Sequence, residues 1–173
     1  AEALANALGD QRRLARVNVF IARLLSGQGE YDQAVTACER AIAMARTLDD
    51  YGQEVVATNI LGLGYYYLGN YPKAVEALRC NLVSLDSPVV RERFGALNLP
   101  FANSRASLAS ALAECGEFVE AIVRCTEAIQ IVEAVGHPHS VTAMYRGMGH
   151  LHLRRGDLHQ ATLALEHALE ICQ

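Results

Sequence analysis

The stretch "LGLGYYYLGN" at 61 to 70 sets Gly62, Gly64 and Gly69 around three consecutive tyrosines. Closely spaced glycines can cradle phosphates on exposed backbone amides, but that chemistry needs a strand before the glycines, and none is indicated here. No Gly-x-x-x-x-Gly-Lys-Ser/Thr occurs anywhere in the chain.

Other residue types could also carry chemistry. Cys38, Cys80, Cys115, Cys125 and Cys172 are odd in number and lack any Cys-x-x-Cys pairing, so neither a disulfide framework nor a zinc site is expected. Free, mostly buried thiols in a reducing cytosol are expected instead. His137 and His139 flank Pro138 at a helix start, while His150 and His152 are two apart and point to different sides of a helix. No Cys or carboxylate shares their face at ligand spacing, so no metal is expected. Asp10, Asp49 and Asp50 fall between helical stretches, where capping accounts for them. No nucleophile, base and orienting residue recur in a recognisable spacing, so the chain is not read as an enzyme, and no cofactor is expected.

The 173 residues are 51% hydrophobic and 20% charged, the balance of an ordinary globular protein. No run approaches the length of a membrane-spanning helix, and "AEALANALGD" is neither a basic leader nor a cleavage site. A soluble, cytoplasmic chain without membrane partners is expected. The helical sequence at both ends and the missing initiator Met suggest a piece of a longer protein. A formal charge of -4 argues against nucleic acid as a partner. Lys73 is the only lysine among fifteen cations; the rest are arginines.

Chemistry therefore has to be sought in the elements that position these side chains, and those elements repeat. The motif Gly, polar or acidic, large, two residues, Ala occurs as "GEYDQA" from Gly29, "GNYPKA" from Gly69, "GEFVEA" from Gly116 and "GDLHQA" from Gly156, spaced by 40, 47 and 40 residues. Seven residues before each Gly stand Ala22, Gly62, Ala109 and Gly149, and eight before stand Ile21, Leu61, Leu108 and Met148. Twelve after stand Ala41, Asn81, Ala128 and Ala168. Apolar residues at helical spacing flank each Gly, as in Leu14, Val17, Ile21 and Leu25 and then Ala34, Val35, Cys38, Ala41 and Ile42. Each repeat is thus a helix, a short turn and a helix.

Helices are expected at about 10 to 27, 31 to 48, 51 to 68, 71 to 85, 101 to 115, 118 to 135, 138 to 155 and 158 to 172, with Glu2 to Leu8 ending an earlier one. The fold class is all-α. One domain over 1–173 is expected: repeats at 10–49, 50–86, 101–136 and 137–173, the end of a preceding helix at 1–9, and an irregular connection at 87–100. Pro88, Gly95 and Pro100 interrupt that connection.

With these positions laid out, the chain resembles the tetratricopeptide repeat, most closely in its second copy through Leu61, Gly62, Tyr65, Gly69, Tyr71 and Ala74. It departs in a period of 40 instead of roughly 34 residues, in the missing first-helix tryptophan, and in having no proline to close a repeat. The resemblance implies an α-α superhelix whose groove is lined by first helices and binds protein or peptide. A narrower resemblance runs through "RERFGALNLPFANSRASLASALAECGEFVEAI" and "HPHSVTAMYRGMGHLHLRRGDLHQATLALEHALEIC". These segments look like the repeat region downstream of the ATPase module in large bacterial signalling proteins, many of which begin with an adenylate or guanylate cyclase domain. The chain would then be a regulatory fragment.

Counting from each turn Gly, the groove candidates are Arg16, Val19 and Arg23; Asn59, Leu63, Tyr66 and Tyr67; Asn103, Ala106 and Ser110; and Arg146, His150 and Arg154. Arginines at both ends and an amide and aromatic middle suit an extended acidic peptide. The same residues also fit plain solvated helix faces. A small-ligand sensor is the alternative, with Arg91, Arg93, Phe94 and Phe101 as its candidates. At the C-terminal end Leu165, Ala168, Leu169 and Cys172 would seek a neighbour, so self-association is a further expectation.

Overall fold

A computed structural model describes residues 10–83, 86–96, 98–136 and 138–172. The expected helix at Glu2 to Leu8, and His137, lie outside these. Among the described residues there are eight α-helices and no strand: α1 (Gln11–Gln28), α2 (Tyr31–Thr47), α3 (Tyr51–Tyr67), α4 (Tyr71–Arg79), α5 (Pro100–Glu114), α6 (Phe118–Val135), α7 (Pro138–Arg155) and α8 (Leu158–Ile171). The chain divides into two compact units, Ala1–Asn81 and Leu82–Gln173. Each unit holds two helix pairs.

The turn glycines end the first helices as their spacing requires. Gly29, Gly69, Gly116 and Gly156 take φ of 84°, 75°, 80° and 82°, a left-handed conformation that costs a residue with a Cβ about 1 kcal/mol. This conformation lets two amides turn back onto helix carbonyls: Glu30 N–H donates to Leu25 O at 2.9 Å and Gly29 N–H to Ser26 O at 3.3 Å. The same pair of bonds closes α3, α5 and α7. Helix starts are capped by Asp10, Asp50, Asn70 and Asp157, whose side chains accept from the amide three residues on. Asp49 does not cap. It adopts φ 56° at the turn between repeats, the position that Gly136 fills with φ 70°.

Inside each pair the helices approach through small residues. A Cβ on Gly62 would fall 2.6 Å from Leu78 Cδ2, and one on Gly149 would fall 2.5 Å from Leu165 Cγ. Gly64, which no other repeat seemed to echo, keeps α3 close to the preceding helix: its Cβ would sit 2.9 Å from Val35 Cγ2. Alanines fill much of the interior, and Cys38 and Cys125 are buried among them. Cys80, Cys115 and Cys172 are exposed, contrary to the expectation of mostly buried thiols.

The fourth helix is shorter than its periodicity predicts, stopping at Arg79 and not near residue 85. Asn81 supplies a physical reason. Its repeat equivalents are alanines within continuous helix, whereas its side-chain amide donates to Val55 O at 2.9 Å and ties the end of α4 to α3. In the second unit a 3₁₀ turn at Pro88–Arg91 and a bend at Phe94 and Gly95, both at positive φ, lead into α5.

Arg105 of α5 ties down this lead-in. The side chain is only 2% exposed and donates to Val83 O at 2.5 Å, Phe101 O at 3.3 Å and Glu127 Oε2 at 3.1 Å. Arg124 adds a second cation on Glu127 at 2.8 Å. Burial lowers the Arg105 pKa, and the Glu127 charge opposes that shift. A charge this deep is tolerated because three acceptors surround it.

Candidate functional site

In each unit the two first helices touch one another, α1 with α3 and α5 with α7, while the second helices do not. The first helices therefore form the tighter, inner side of each unit. This is where the predicted residues belong.

In the first unit, Arg16 is exposed and Arg23 half-buried on α1. Asn59 differs from expectation: it is 8% exposed, buried in the helix packing at the same step from the turn Gly as Val19, which is 4% exposed. Its amide nitrogen nonetheless has no hydrogen-bond acceptor. Tyr66 and Tyr67 come together with two tyrosines the candidate set omitted. The Tyr67 ring stacks on Tyr31 at 4.9 Å and 18°, and Tyr66 lies 5.4 Å from Tyr67 and 5.6 Å from Tyr71. The signal for Tyr31 and Tyr71 was their place two residues after each turn Gly, which sets them beside the end of a first helix. Tyr65 turns away, donating from its hydroxyl to Glu39 Oε1 at 3.1 Å under the Lys73 ammonium at 5.5 Å. Burial, then the Glu39 bond, raises the Tyr65 pKa.

In the second unit, Asn103 is half-buried on α5, and Ser110 is exposed with its hydroxyl donating to Ala106 O at 3.1 Å. Arg146 and His150 are exposed on α7. Arg154 is ion-paired with Glu114, which occupies the equivalent place on α5, so its charge is partly matched within the fold. Glu114 stands two residues before its turn Gly, a step from which the candidate set took Tyr67 and Arg154 but nothing in the third repeat.

The sensor candidates fare unequally. Phe101 is fully buried with the Phe94 ring 6.0 Å away, while Arg91 and Arg93 are exposed. Burial removes Phe101 from any ligand surface. Crevices of about 290 and 310 Å³ lie elsewhere, the first between α1 and α2 at Asn18, Ile21 and Arg40, the second among α2, α3 and α4 at Ile42, Leu61 and Cys80. None of the predicted site residues lines either of these two crevices. Among the described residues no three of His, Cys, Asp and Glu converge on a metal position, and no helix is long and apolar enough to cross a membrane.

The tetratricopeptide repeat family model matches residues 13–80 and 101–173, leaving out the stretch where α4 ends early and the 3₁₀ turn follows. No curated protein matches the chain. Among solved structures it is similar to BtubC (BKLC) from P. vanneervenii, at 17% identity and a TM-score of 0.64 over 94% of this chain. The chain spans 64% of that structure's length, less than two thirds. It is also similar to the nearly identical TPR-like repeats of a putative kinesin light chain from Podosopora anserina, at 18% identity and a TM-score of 0.41, over 93% of this chain and 95% of that one. At 17% identity the likeness to BtubC concerns the fold alone. With four helix pairs closed by left-handed glycines, and the family model covering most of its length, the chain belongs to the tetratricopeptide repeat family.

Proposed function

We propose that the chain is a non-catalytic module that takes up an extended, acidic segment of another protein on its first-helix faces. Tetratricopeptide repeats generally mediate protein–protein interaction or scaffolding. The observation that carries the reading here is the aromatic cluster at the end of α3, where Tyr67, 57% exposed, stacks on Tyr31 beside Tyr66 and Tyr71. Arg16 and Arg146 add uncovered cations, and the tyrosines at 31, 66, 67 and 71 offer rigid contact area at low entropic cost.

The test is fluorescence anisotropy with labelled peptides rich in Asp and Glu. Arg23→Glu and Arg146→Glu should each weaken capture, and Tyr67→Ala should weaken it without changing its salt dependence. Undiminished binding by all three variants would sink the reading. Saturable stabilisation by a small metabolite in a thermal-shift screen, with no peptide effect, would replace it with the sensor reading.

The segments at 91–122 and 137–172 support placing the module in a larger cytoplasmic signalling protein, where it would regulate an ATPase or a nucleotide cyclase. The full-length gene product decides this, since such a domain is expected upstream.

A further inference from the structure

The second helices within each unit do not touch, so a groove runs between them over the first helix beneath: α2 and α4 flank α3, and α6 and α8 flank α7. In the second unit a side chain of the protein itself enters that groove. The Tyr145 ring of α7 meets His167 of α8 edge to face at 4.4 Å, and its hydroxyl donates to Glu133 Oε1 of α6 at 2.7 Å. One aromatic ring thereby joins both second helices.

The first unit has the same three positions with different residues. Counted from the turn glycines, Thr58 stands at the step of Tyr145, Cys80 at that of His167 and Arg46 at that of Glu133. None of the three carries a ring, and all three line the crevice of about 310 Å³ among α2, α3 and α4. Ile42, Ala43, Leu61 and Ala77 give it an apolar wall. The crevice is therefore the space that Tyr145 takes in the second unit, left open, and its volume falls at the lower end of small-ligand sites.

Charge decides which occupant would complete it. At the Glu133 position a carboxylate accepts from a hydroxyl, whereas Arg46 can only donate. An occupant must then bring an acceptor where Tyr145 brings a hydrogen, and a carboxylate matches the planar guanidinium best. Glu54 Oε1 accepts from Arg46 Nε at 2.7 Å, which fixes the guanidinium through one of its five donors. The other charge on the wall, Glu39, accepts from the Tyr65 hydroxyl at 3.1 Å and lies two turns back along α2, about 10 Å from Arg46. The basic and acidic ends of the crevice are thus separate.

We propose that this crevice binds a small aromatic carboxylate, its ring between α2 and α4 above Thr58 and its carboxylate on Arg46. The site is formed with second helices, so it does not depend on peptide capture by the first-helix faces.

Benzoate is the probe, and benzylamine, the same ring bearing a cation, is the control. In amide NMR spectra benzoate should saturably shift residues around 46, 58 and 80, with a Kd on the order of 0.1–1 mM as so few atoms allow, and benzylamine should not. Bound benzoate should slow iodoacetamide modification of Cys80 several-fold and leave Cys115 and Cys172 unaffected. Arg46→Gln, at a side chain 64% exposed, should weaken binding by about tenfold without disturbing the fold. Thr58→Tyr, which puts the second unit's ring into the first, should abolish binding, with circular dichroism to verify folding. Cys80→Trp, at an exposed position, blocks the crevice independently. Absence of saturable shifts, equal binding of benzylamine, or undiminished benzoate binding by Arg46→Gln or by a folded blocking variant would each overturn the proposal.

Discussion

Leu78 occupies the space that a side chain on Gly62 would need, with Leu78 Cδ2 2.6 Å from where that Cβ would lie. The fourth repeat reproduces the arrangement with Leu165 over Gly149. In the first and third repeats the equivalent positions hold Ala22 with Cys38 and Ala109 with Cys125, a larger residue on the first helix and a smaller one on the second. Helix spacing within a repeat is thus kept by exchanging volume between two positions sixteen residues apart.

Gly62→Ala should therefore destabilise the first unit by about 1–3 kcal/mol through overpacking, and Leu78→Cys by roughly 2 kcal/mol through the space it empties. The double variant restores the Ala and Cys pairing of the first and third repeats, so it should lose less than the sum of the two. Urea unfolding of the four proteins measures the coupling, expected at about 0.5–3 kcal/mol. Strict additivity would show that the two positions do not share volume.

Arg105 predicts a larger and more specific loss. With its side chain 2% exposed on three acceptors, Arg105→Ala strands the Val83 carbonyl and leaves Glu127 to Arg124 alone, and should cost about 3 kcal/mol. Lysine keeps the charge but not the planar fork, so Arg105→Lys should recover only part. Hydrogen exchange should show the loss concentrated in residues 82–114 of the second unit. An Arg105→Lys variant as stable as the parent would mean that the fork geometry is unimportant.

The thiols divide into two reactivity classes and give a sign to the alkaline response. Burial pushes Cys38 and Cys125 up to about 12 from 9.0, the nearby Glu39 adding to the shift at Cys38. Iodoacetamide at pH 8 should modify Cys80, Cys115 and Cys172 in the native chain, and all five only after unfolding. Because the folded-state values are raised, the two buried thiols contribute stability that is complete below pH 9 and is lost as pH rises toward 12. The expected slope is about 1.4 kcal/mol per pH unit for each thiol. Replacing both with alanine should flatten it, although the Tyr145 hydroxyl, held near 12 first by its bond to Glu133, retains a smaller share. A slope unchanged in the double variant would assign the alkaline loss to other groups.

Much of the architecture was legible because it depends on short-range rules. A glycine that must adopt positive φ, an alanine five residues on, and apolar spacing of 3.6 residues locate seven of eight helices to within about a turn. Family membership follows from the same periodicity. The end of α4 was not legible, because it depends on Asn81 finding the Val55 carbonyl 26 residues back along the chain. The exposure of the candidate site was only partly legible: Arg16, Tyr67 and Arg146 project as the helical period predicts, while Asn59 is buried by the neighbouring first helix.

Sequence alone determined the helix pairs, their turns and the family, since each is encoded within a few residues of backbone preference and side-chain periodicity. Tertiary structure decided which polar groups are left unmatched. Whether Asn59 finds an acceptor and whether Arg154 meets Glu114 depend on helices far apart in the chain. Burial and pairing are properties of the packed whole, and no local pattern of residues contains them.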